Sequence, residues 1–319
     1  MNHCAFIGFG SAASAMAEGL RESGFGTVFF HTRNFPSGRY ARRIKSIGAV
    51  YRPDYASLAA SSNLIISCVP GIAARVVAES AVPYLREQHL YVDANTAAPD
   101  VKRDIAALIK ITGATFADAA IMGPVESYRH QVPIIACGDG AGLFRAAMAP
   151  FGMDISVIEG GPGQAARIKL LRSVFQKGVM CLLMETLGAA HRYGVDSAVL
   201  DSLCGTFDGV PLRVMAERMV PKAISKAGRM TNEMMEAYTM LTGERLPALM
   251  AEACTRSLAY CRDGGLPEPE NLEQAIRFLD GLSRRLSFDE PTGAALSSRC
   301  CLEKRSDDWT PPTCRRRKQ

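Results

Sequence analysis

Residues 5–20 read AFIGFGSAASAMAEGL, and the architecture of the chain can be worked out from this stretch. An apolar run leads into the turn Gly8-Phe9-Gly10-Ser11-Ala12-Ala13, and apolar residues then recur at helical spacing. A strand, a glycine turn and a helix in this order match the G-x-G-x-x-G/A loop that binds a dinucleotide. Gly8 permits the tight turn, Gly10 lets the backbone approach a pyrophosphate, and Ala13 lets the helix pack closely on the strand. All six turn residues are therefore predicted to hold the pyrophosphate at the N-terminus of the helix.

The end of the second predicted strand, TVFFHT at residues 27–32, indicates which dinucleotide would bind. An NAD site usually carries a carboxylate there, which binds the ribose 2′-hydroxyl. No acidic residue lies between Glu22 and Asp54. The same segment contains six basic residues, which are Arg33, Arg39, Arg42, Arg43, Lys45 and Arg52.

These charges favour NADP over NAD, because a guanidinium pairs far better with a phosphate than with a neutral hydroxyl. Arg33, with Arg39 as a second candidate, is predicted to bind the 2′-phosphate. Thr32 and Asn34 are predicted to lie against the cofactor beside them. The alternative for the remaining charges is a solvated face of a helix. NADP is thus the predicted cofactor, and NAD is the alternative.

Up to about residue 158, short apolar runs alternate with helical patterns. Strand-like runs at residues 4–9, 27–32, 63–69, 89–94, 114–119, 133–137 and 154–158 are separated by helical stretches such as residues 12–23, 38–47, 99–111 and 141–149. This alternation predicts an α/β fold with a doubly wound, largely parallel Rossmann-type sheet. From residue 163 onward the spacing is helical, which predicts an all-α C-terminal domain.

The glycines and the proline of EGGPG, residues 159–163, mark the predicted domain boundary. We expect a dinucleotide-binding domain at residues 1–162 and a helical substrate and dimerisation domain at residues 163–299. Residues 300–319, which include four consecutive basic residues at positions 315–318, are expected to form a basic, disordered tail. Because the helical domain offers more apolar surface than a monomer would expose, a homodimer is expected.

The composition of the 319 residues argues against several classes of function. Apolar residues make up 48% and charged residues 22%, which is enough for a substantial core. The ten cysteines and five histidines show no metal-ligand spacing, so no metal is expected, and the cysteine usage fits a reducing cytoplasm. No leader-like segment precedes the first strand, and the apolar run at residues 170–190 carries charges, so no membrane partner is expected. Four charges of the tail are too few to predict a nucleic-acid partner.

Four stretches together resemble the β-hydroxyacid dehydrogenase family, which includes 3-hydroxyisobutyrate and 6-phosphogluconate dehydrogenases. They are the opening turn, SCVP at residues 67–70, VDANTAAPD at residues 92–100 and FADAAIMGPVESYRHQVPIIACGD at residues 116–139. The resemblance implies a nicotinamide cofactor and a small substrate. It also implies that Cys68, Val69 and Pro70 lie beside the cofactor, and that Asn95 and Thr96 face the substrate, with Asn95 near the cofactor as well.

One part of the resemblance is incomplete. In the family's F-x-D-A-P-V-S-G-G-V stretch, Ser-Gly-Gly binds the carboxylate of the substrate. Met122, Gly123 and Pro124 stand at these positions here. The resemblance implies substrate contacts at these three residues, although the serine is replaced.

The family's catalytic lysine lies early on a long helix, in G-x-G-x-x-x-K-x-x-x-N. In GPGQAARIKLLRSVFQKG, residues 161–178, spacing from Gly161 places Arg167 at the lysine position. Counting back from Gly178 selects Lys169 instead, with Ser173 in place of the asparagine. The run also resembles a less-characterised branch of the family. We favour Lys169 as the catalytic residue, with Ser173 orienting it or the substrate.

The spacing of polar residues on this helix supports the choice. Lys169, Arg172, Ser173 and Gln176 recur at i, i+3, i+4 and i+7, so they share one helix face. Such a stripe is expected to line a ligand cleft, and the alternative is a stripe in water. Arg172 and Gln176 are therefore predicted to contact the substrate.

Together these features predict an NADP-preferring oxidoreductase that transfers a hydride between nicotinamide and a small 3-hydroxy acid or its keto form. Lys169 would donate or accept the proton. Imine reduction on the same architecture and a non-catalytic dinucleotide-binding sensor are the alternatives, because Met122, Pro124 and Ser173 depart from the family pattern. The expected partners are a small-molecule substrate and a second copy of the chain.

Overall fold

The computed structural model describes residues 2–33 and 38–285, apart from the side chains of residues 38–40. Asn34, the side chain of Arg39, the end of the predicted helical domain and the basic tail lie outside the described residues. The chain forms two compact units, residues 1–176 and residue 177 onward. The boundary that EGGPG indicates, between residues 162 and 163, stays a prediction.

The first unit is built on one eight-stranded sheet. Its strands are β1 (His3–Ile7), β2 (Thr27–His31), β3 (Val50–Tyr51), β4 (Leu64–Ser67), β5 (Leu90–Asp93), β6 (Thr115–Ile121), β7 (Ile134–Cys137) and β8 (Ile155–Val157). Their order is β3-β2-β1-β4-β5-β6-β7-β8, and only the β6–β7 pair is antiparallel. The strand order reverses direction between β1 and β4, which is where sheets of this order bind dinucleotides.

Helices cover both faces of this sheet. They are α1 (Ser11–Glu22), α2 (Gly38–Ile47), α3 (Tyr55–Ser61), α4 (Ala74–Ala81), α5 (Pro99–Lys110), α6 (Val125–Tyr128) and α7 (Ala141–Met148). In β1, Cys4 and Phe6 belong to one buried cluster, whereas Ala5 and Ile7 belong to another on the opposite face. Burial on both faces explains why the strands read as continuous apolar runs. The doubly wound α/β fold predicted from the sequence is confirmed.

The second unit is helical throughout its described part. α8 (Gln164–Arg192) begins in the first unit and ends in the second, where it is followed by α9 (Asp196–Phe207), α10 (Leu212–Ser225), α11 (Ala227–Gly243), α12 (Leu249–Asp263) and α13 (Leu272–Arg285). The Glu185 carboxylate on α8 accepts the N–H groups of Met250 and Ala251, each at 2.9 Å, and so caps the start of α12. Among residues 2–33 and 38–285, no helix is both long enough and apolar enough to cross a bilayer.

One lysine of α5 has its ammonium group inside the first unit. Lys102 Nζ lies 3.1 Å from a carboxylate oxygen of Asp93 and 3.1 Å from one of Asp118, and it donates to the Asp93 backbone carbonyl at 2.7 Å. All three side chains are completely buried. Burial raises the pKa of the Asp93 carboxyl, and the Lys102 ammonium opposes that shift. Since an unpaired buried charge is strongly unfavourable, each of the three groups depends on the others.

Lys102→Met should therefore lower the free energy of unfolding by about 3–5 kcal/mol, because it leaves two carboxylates buried without their cation. The matched control is Lys110→Met, which removes an exposed lysine at the end of the same helix. That control should change the stability by less than about 1 kcal/mol. Urea denaturation measures both values, and equal losses in the two variants would contradict the role of Lys102.

Candidate functional site

The turn after β1 has the geometry that its glycines predict. Gly8 has φ = +84°, and a Cβ there would lie 2.5 Å from the carbonyl oxygen of Cys68. A side chain at Gly8 would thus be strained and would collide with the loop after β4. Gly10 is the N-cap of α1, no side chain among the described residues caps this helix, and a Cβ at Gly10 would meet none of their atoms within 4 Å. Gly10 therefore leaves space for an anion to approach the first N–H groups of α1.

The other turn residues divide between the core and the surface. Phe9 is buried and stacks on Phe30, with 4.3 Å between ring centroids, so only its backbone is available to a ligand. Ala13 is completely buried in the same cluster, as close packing of helix on strand requires. Ala12 is half-buried, and the exposed end of the turn carries the hydroxyl of Ser11.

Glu126 lies at the N-terminus of α1, although no sequence pattern pointed to it. Its carboxylate accepts a hydrogen bond from Ser11 and lies 3.1 Å from the Arg43 guanidinium. Arg43 also pairs with Glu18 at 2.7 Å. A negative charge is thus held where a pyrophosphate is predicted to bind, because the N-terminus of a helix attracts anions. A bound pyrophosphate would compete with Glu126 for this position.

The ends of β4 and β5 are tied together beside the turn. The N–H of Val69 donates to Asn95 Oδ1 at 2.6 Å, and Asn95 Nδ2 donates to the Ser67 hydroxyl at 2.9 Å. Asn95 is buried, so its amide fixes the shape of the Cys68–Pro70 loop. Thr96, the next residue, is exposed. The structure therefore brings the predicted cofactor loop and the predicted substrate residues to one edge of the sheet.

Among the side chains described at the end of β2, Arg33 is the basic one that could bind the 2′-phosphate of the cofactor. Arg33 is exposed directly after the strand and forms no ion pair with the described residues, and Thr32 beside it is half-buried. Arg43 is paired as described above, and Arg52 Nε donates to the Ser61 hydroxyl at 2.6 Å. Two of the six basic residues of this segment thus have partners within the fold.

The segment after β6 presents an apolar side chain where the family has a serine. Met122 is half-buried and packs against the cluster that includes Cys137 and Ala165. Gly123 is half-buried and Pro124 is exposed. The described side chains at these positions offer no hydroxyl to a substrate.

The first turns of α8 place Lys169 near the Cys68–Pro70 loop. Burial raises the pKa of the Cys68 thiol to about 11, and the charge of Lys169 opposes this shift, so the ammonium lies within electrostatic range of the thiol. Lys169, Ser173 and Gln176 are half-buried, and Arg172 is exposed. Three of the four residues of the predicted stripe therefore lie on the partly buried side of α8.

These features fit a dinucleotide at the carboxyl edge of the sheet. The open side of Gly10, the uncapped start of α1 and the strand reversal between β1 and β4 all lie there. Lys169 supplies an ionisable group near the adjoining loop. Within the part of the chain that is described, no group of three or more His, Cys, Asp or Glu side chains is placed to hold a metal ion.

Sequence reasoning missed four charged residues that support this edge, which are Asp93, Lys102, Asp118 and Glu126. Asp93 and Asp118 did carry a signal, because an acidic residue inside an apolar strand needs a buried partner. Lys102 and Glu126 carried none, because each stands among other polar residues.

Two glycine variants should distinguish an effect on stability from an effect on ligand binding. Gly10→Ala should weaken dinucleotide binding while leaving the free energy of unfolding nearly unchanged, because its methyl group meets no atom of the described residues within 4 Å. Gly8→Ala should instead lower the stability by about 1–3 kcal/mol, because its backbone lies in the left-handed region and its methyl group meets Cys68. Urea denaturation and a fluorescence titration with NADPH measure the two effects. Unweakened NADPH binding by Gly10→Ala would contradict the predicted pyrophosphate position.

Comparison with known proteins relates both units of the chain to known families. The family described as the NAD binding domain of 6-phosphogluconate dehydrogenase matches residues 3–150. A family described as a domain of unknown function, DUF1932, matches residues 190–260. Human mitochondrial 3-hydroxyisobutyrate dehydrogenase is 25% identical over 214 residues, which is 64% of this chain and 61% of the human protein. The chain thus spans under two thirds of the length of that relative.

Solved structures extend the likeness. A conserved hypothetical protein from Sinorhizobium meliloti 1021 is 31% identical, with 90% of this chain and 97% of that one covered and a TM-score of 0.56. A conserved protein of unknown function, described as structurally similar to 3-hydroxyacid dehydrogenases, is 32% identical, with 82% and 97% covered and a TM-score of 0.55. An imine reductase from Myxococcus stipitatus in complex with NADP+ has a TM-score of 0.70 with 87% and 99% covered, but at 15% identity it shows only the fold. The glycine turn lies at the strand reversal, the nucleotide-domain family matches, and two solved relatives above 30% identity are covered over nearly their whole length. The chain therefore belongs to the β-hydroxyacid dehydrogenase family of nicotinamide-dependent oxidoreductases, in one of its less-characterised branches.

Proposed function

We propose that this protein is an NADP-preferring oxidoreductase that transfers a hydride between nicotinamide and a small 3-hydroxy acid or its keto form, with Lys169 handling the proton. The observation that carries the proposal is the position of Lys169, whose charge acts on the Cys68 thiol. The N–H of Cys68 in turn donates to the carbonyl oxygen of Ile7 at 2.8 Å, directly before the turn at Gly8 where the pyrophosphate is expected. The relative named 3-hydroxyisobutyrate dehydrogenase supports the substrate class.

Different residues of the site would bind the cofactor and transfer the proton. The nicotinamide ring, when bound, exchanges a hydride with the reacting carbon of the substrate. Gly10 and the start of α1 would hold the pyrophosphate, and Arg33 would hold the 2′-phosphate. The loop Cys68–Pro70, fixed by Asn95, would border the cofactor on the side of β4.

Lys169 would move the proton on the substrate oxygen. In oxidation its neutral amine accepts the hydroxyl proton while the hydride leaves the carbon, and in reduction its ammonium donates a proton to the carbonyl oxygen. Ser173 follows Lys169 by four residues on the same face of α8 and would orient the amine or the hydroxyl. Arg172 and the hydroxyl of Thr96 would bind the carboxylate of the substrate.

Imine reduction is a second candidate, and Met122 favours it. A thioether packed where the family places a serine offers an uncharged surface, which suits a substrate without a carboxylate. The fold likeness to an imine reductase that holds NADP+ is compatible with this alternative. Reduction of a small cyclic imine with NADPH, without oxidation of any hydroxy acid, would select it.

We also propose that the partner of the chain, besides its substrate, is a second copy. α8 carries large apolar side chains that are exposed on the isolated chain, namely Leu171, Val174, Phe175, Met180 and Met184. Val174 and Met184 are 72% and 74% exposed. Apolar side chains this exposed are typical of an interface, and a homodimer would cover them.

A screen with a lysine variant tests the proposed activity. The wild type is incubated with NADP+ or NAD+ and a panel of small 3-hydroxy acids that includes 3-hydroxyisobutyrate, and reduced nicotinamide is followed by absorbance. Lys169→Met should lower kcat by roughly 10²–10⁴-fold, which is the usual contribution of a general acid–base group. Its Kd for NADPH should stay within about threefold of the wild type, because the phosphates are expected to bind at the start of α1 and at Arg33. A threefold change in Kd corresponds to less than about 1 kcal/mol.

The matched control for this screen is Lys177→Met, which removes an exposed lysine further along α8. Full turnover by Lys169→Met would remove Lys169 from the mechanism. A wild type that binds NADPH but turns over neither hydroxy acids nor imines would leave the dinucleotide-binding sensor as the better description.

A charge reversal at Arg33 tests the cofactor preference. Arg33→Asp should weaken NADPH binding by about 10–100-fold, because a charge-assisted hydrogen bond contributes about 1.5–3 kcal/mol. NADH binding, which involves no 2′-phosphate, should change far less. Lys45→Asp, an exposed residue in the last turn of α2, is the control and should affect neither ligand. Equal losses for NADPH and NADH in Arg33→Asp would show that Arg33 does not bind the 2′-phosphate.

A further inference from the structure

The start of α8 is held by a carboxylate from the sheet. Asp118 Oδ2 accepts hydrogen bonds from the N–H groups of Gly163 at 2.9 Å and of Ala166 at 3.4 Å. α8 begins at Gln164, so these donors belong to its N-cap and its first turn. Asp118 lies within β6 and is completely buried. A residue about 45 positions away in the chain thus performs the task of a local capping side chain.

A cysteine of the neighbouring strand holds the same turn. Cys137 Sγ accepts the N–H of Ala165 at 3.3 Å and lies 3.3 Å from the carbonyl oxygen of Gly161. Cys137 is buried at the end of β7. Three of the four N–H donors at residues 163–166, those of Gly163, Ala165 and Ala166, are therefore satisfied by buried side chains of β6 and β7. The fourth, that of Gln164, donates to the carbonyl oxygen of Gly161 at 3.2 Å.

The same carboxylate is linked to the cofactor loop through buried polar groups. Asp118 Oδ1 pairs with Lys102, and Lys102 pairs with Asp93. Asp93 Oδ1 accepts the N–H of Asn95 at 2.9 Å, and Asn95 holds Val69, the neighbour of Cys68. The start of α8 and the loop after β4 are thus two ends of one connected network.

The net charge of Asp93, Lys102 and Asp118 is opposite in sign to the partial charge at the N-terminus of α8. Two carboxylates and one ammonium leave one net negative charge if all three groups are ionised. The N-terminus of α8 carries the partial positive charge of the helix dipole and lies against Asp118. The N-terminus of α8 is therefore part of the electrostatic surroundings of this network, and the Asp118 carboxyl group holds it by hydrogen bonds.

From these contacts we propose that Asp118 is a positioning residue, which fixes the first turn of α8 and thereby sets the place of Lys169 relative to the loop Cys68–Pro70. Lys169 follows Ala166 by three residues, so it sits one turn beyond the N–H that Asp118 binds. This inference rests on the proposed function of Lys169 for its catalytic meaning. The geometric part, that Asp118 sets the position of Lys169, can be tested without turnover.

Cys68 provides a reporter of that position. Only the thiolate form reacts with iodoacetamide, and the Lys169 charge favours the thiolate. Moving or removing the ammonium should raise the pKa of the Cys68 thiol and slow its alkylation. A rise of half a pKa unit lowers the thiolate fraction by about threefold.

The experiment measures the alkylation rate of Cys68 by mass spectrometry of the full-length protein, as a function of pH. The variants are Asp118→Asn, Lys169→Met and the combination of both. Asp118→Asn keeps the size of the side chain and removes its charge. Asp104→Asn, the same substitution at an exposed position of α5, is the control.

We expect Lys169→Met and Asp118→Asn each to slow alkylation of Cys68 by at least about threefold, and the double variant to react no more slowly than Lys169→Met. The control should react as the wild type does. An unchanged rate in Asp118→Asn, a rate in Lys169→Met equal to wild type, or additive effects in the double variant would overturn the inference. If Asp118→Asn does not fold, Cys137→Ala, which removes the second acceptor, should slow the reaction in the same direction, and an unchanged rate there would overturn it.

Kinetics complete the test and separate the two proposals. With an active substrate, Asp118→Asn should lower kcat while the Kd for NADPH changes little, because Lys169 is displaced and the turn at Gly10 is untouched. A loss confined to KM or to NADPH binding would contradict positioning through Lys169. If no substrate of the panel is turned over but the alkylation rates couple as expected, the proposed function fails and the role of Asp118 stands.

Discussion

A single ammonium group between two buried carboxylates constrains the whole carboxyl edge of the sheet. Lys102 contacts Asp93 of β5 and Asp118 of β6, and none of the three side chains is exposed to water. Such a cluster is stable only when complete, because any member left alone is a buried unpaired charge. Its geometry therefore fixes α5 against both strands. The Asn95 amide and the start of α8 are hydrogen-bonded to Asp93 and Asp118, so the shape of the site depends on this cluster.

The sequence predicts local features of this molecule well and distant ones badly. The turn at Gly8 and Gly10 could be read directly, because the need for glycine arises within the turn and the adjoining loop. The helices α1, α2, α5 and α7 could be placed from their spacing, whereas α3 and α4 on either side of β4 were not identified. β3 was missed because a strand of two residues shows no periodicity. Lys102 was missed because PDVKRDIAALIK has the pattern of an amphipathic helix, and nothing in that pattern distinguishes a buried lysine from one that faces water.

The basic segment after β2 shows why a count of charges does not identify a ligand. Six basic residues in the absence of an acidic one suggested a phosphate site. Arg43 nevertheless finds its counter-charges in Glu18 and Glu126, which lie before and far beyond that segment. Long-range pairing of this kind has no signature in a single sequence. What distinguishes Arg33 is its exposed place directly after β2, at the edge where Gly10 lies open.

The choice between the two basic residues at the start of α8 follows from their chemistry as well as their position. Arg167, which the family spacing favours from one side, is exposed and donates to Gln164 Oε1 at 3.1 Å. A guanidinium stays protonated at any physiological pH, so it can bind a carboxylate but cannot accept a proton in each cycle. Lys169 is half-buried, and its charge acts on the thiol of Cys68, which belongs to the loop predicted to border the cofactor. A reversible hydride transfer needs a group that exists in both protonation states, and of these two residues only the lysine can provide it.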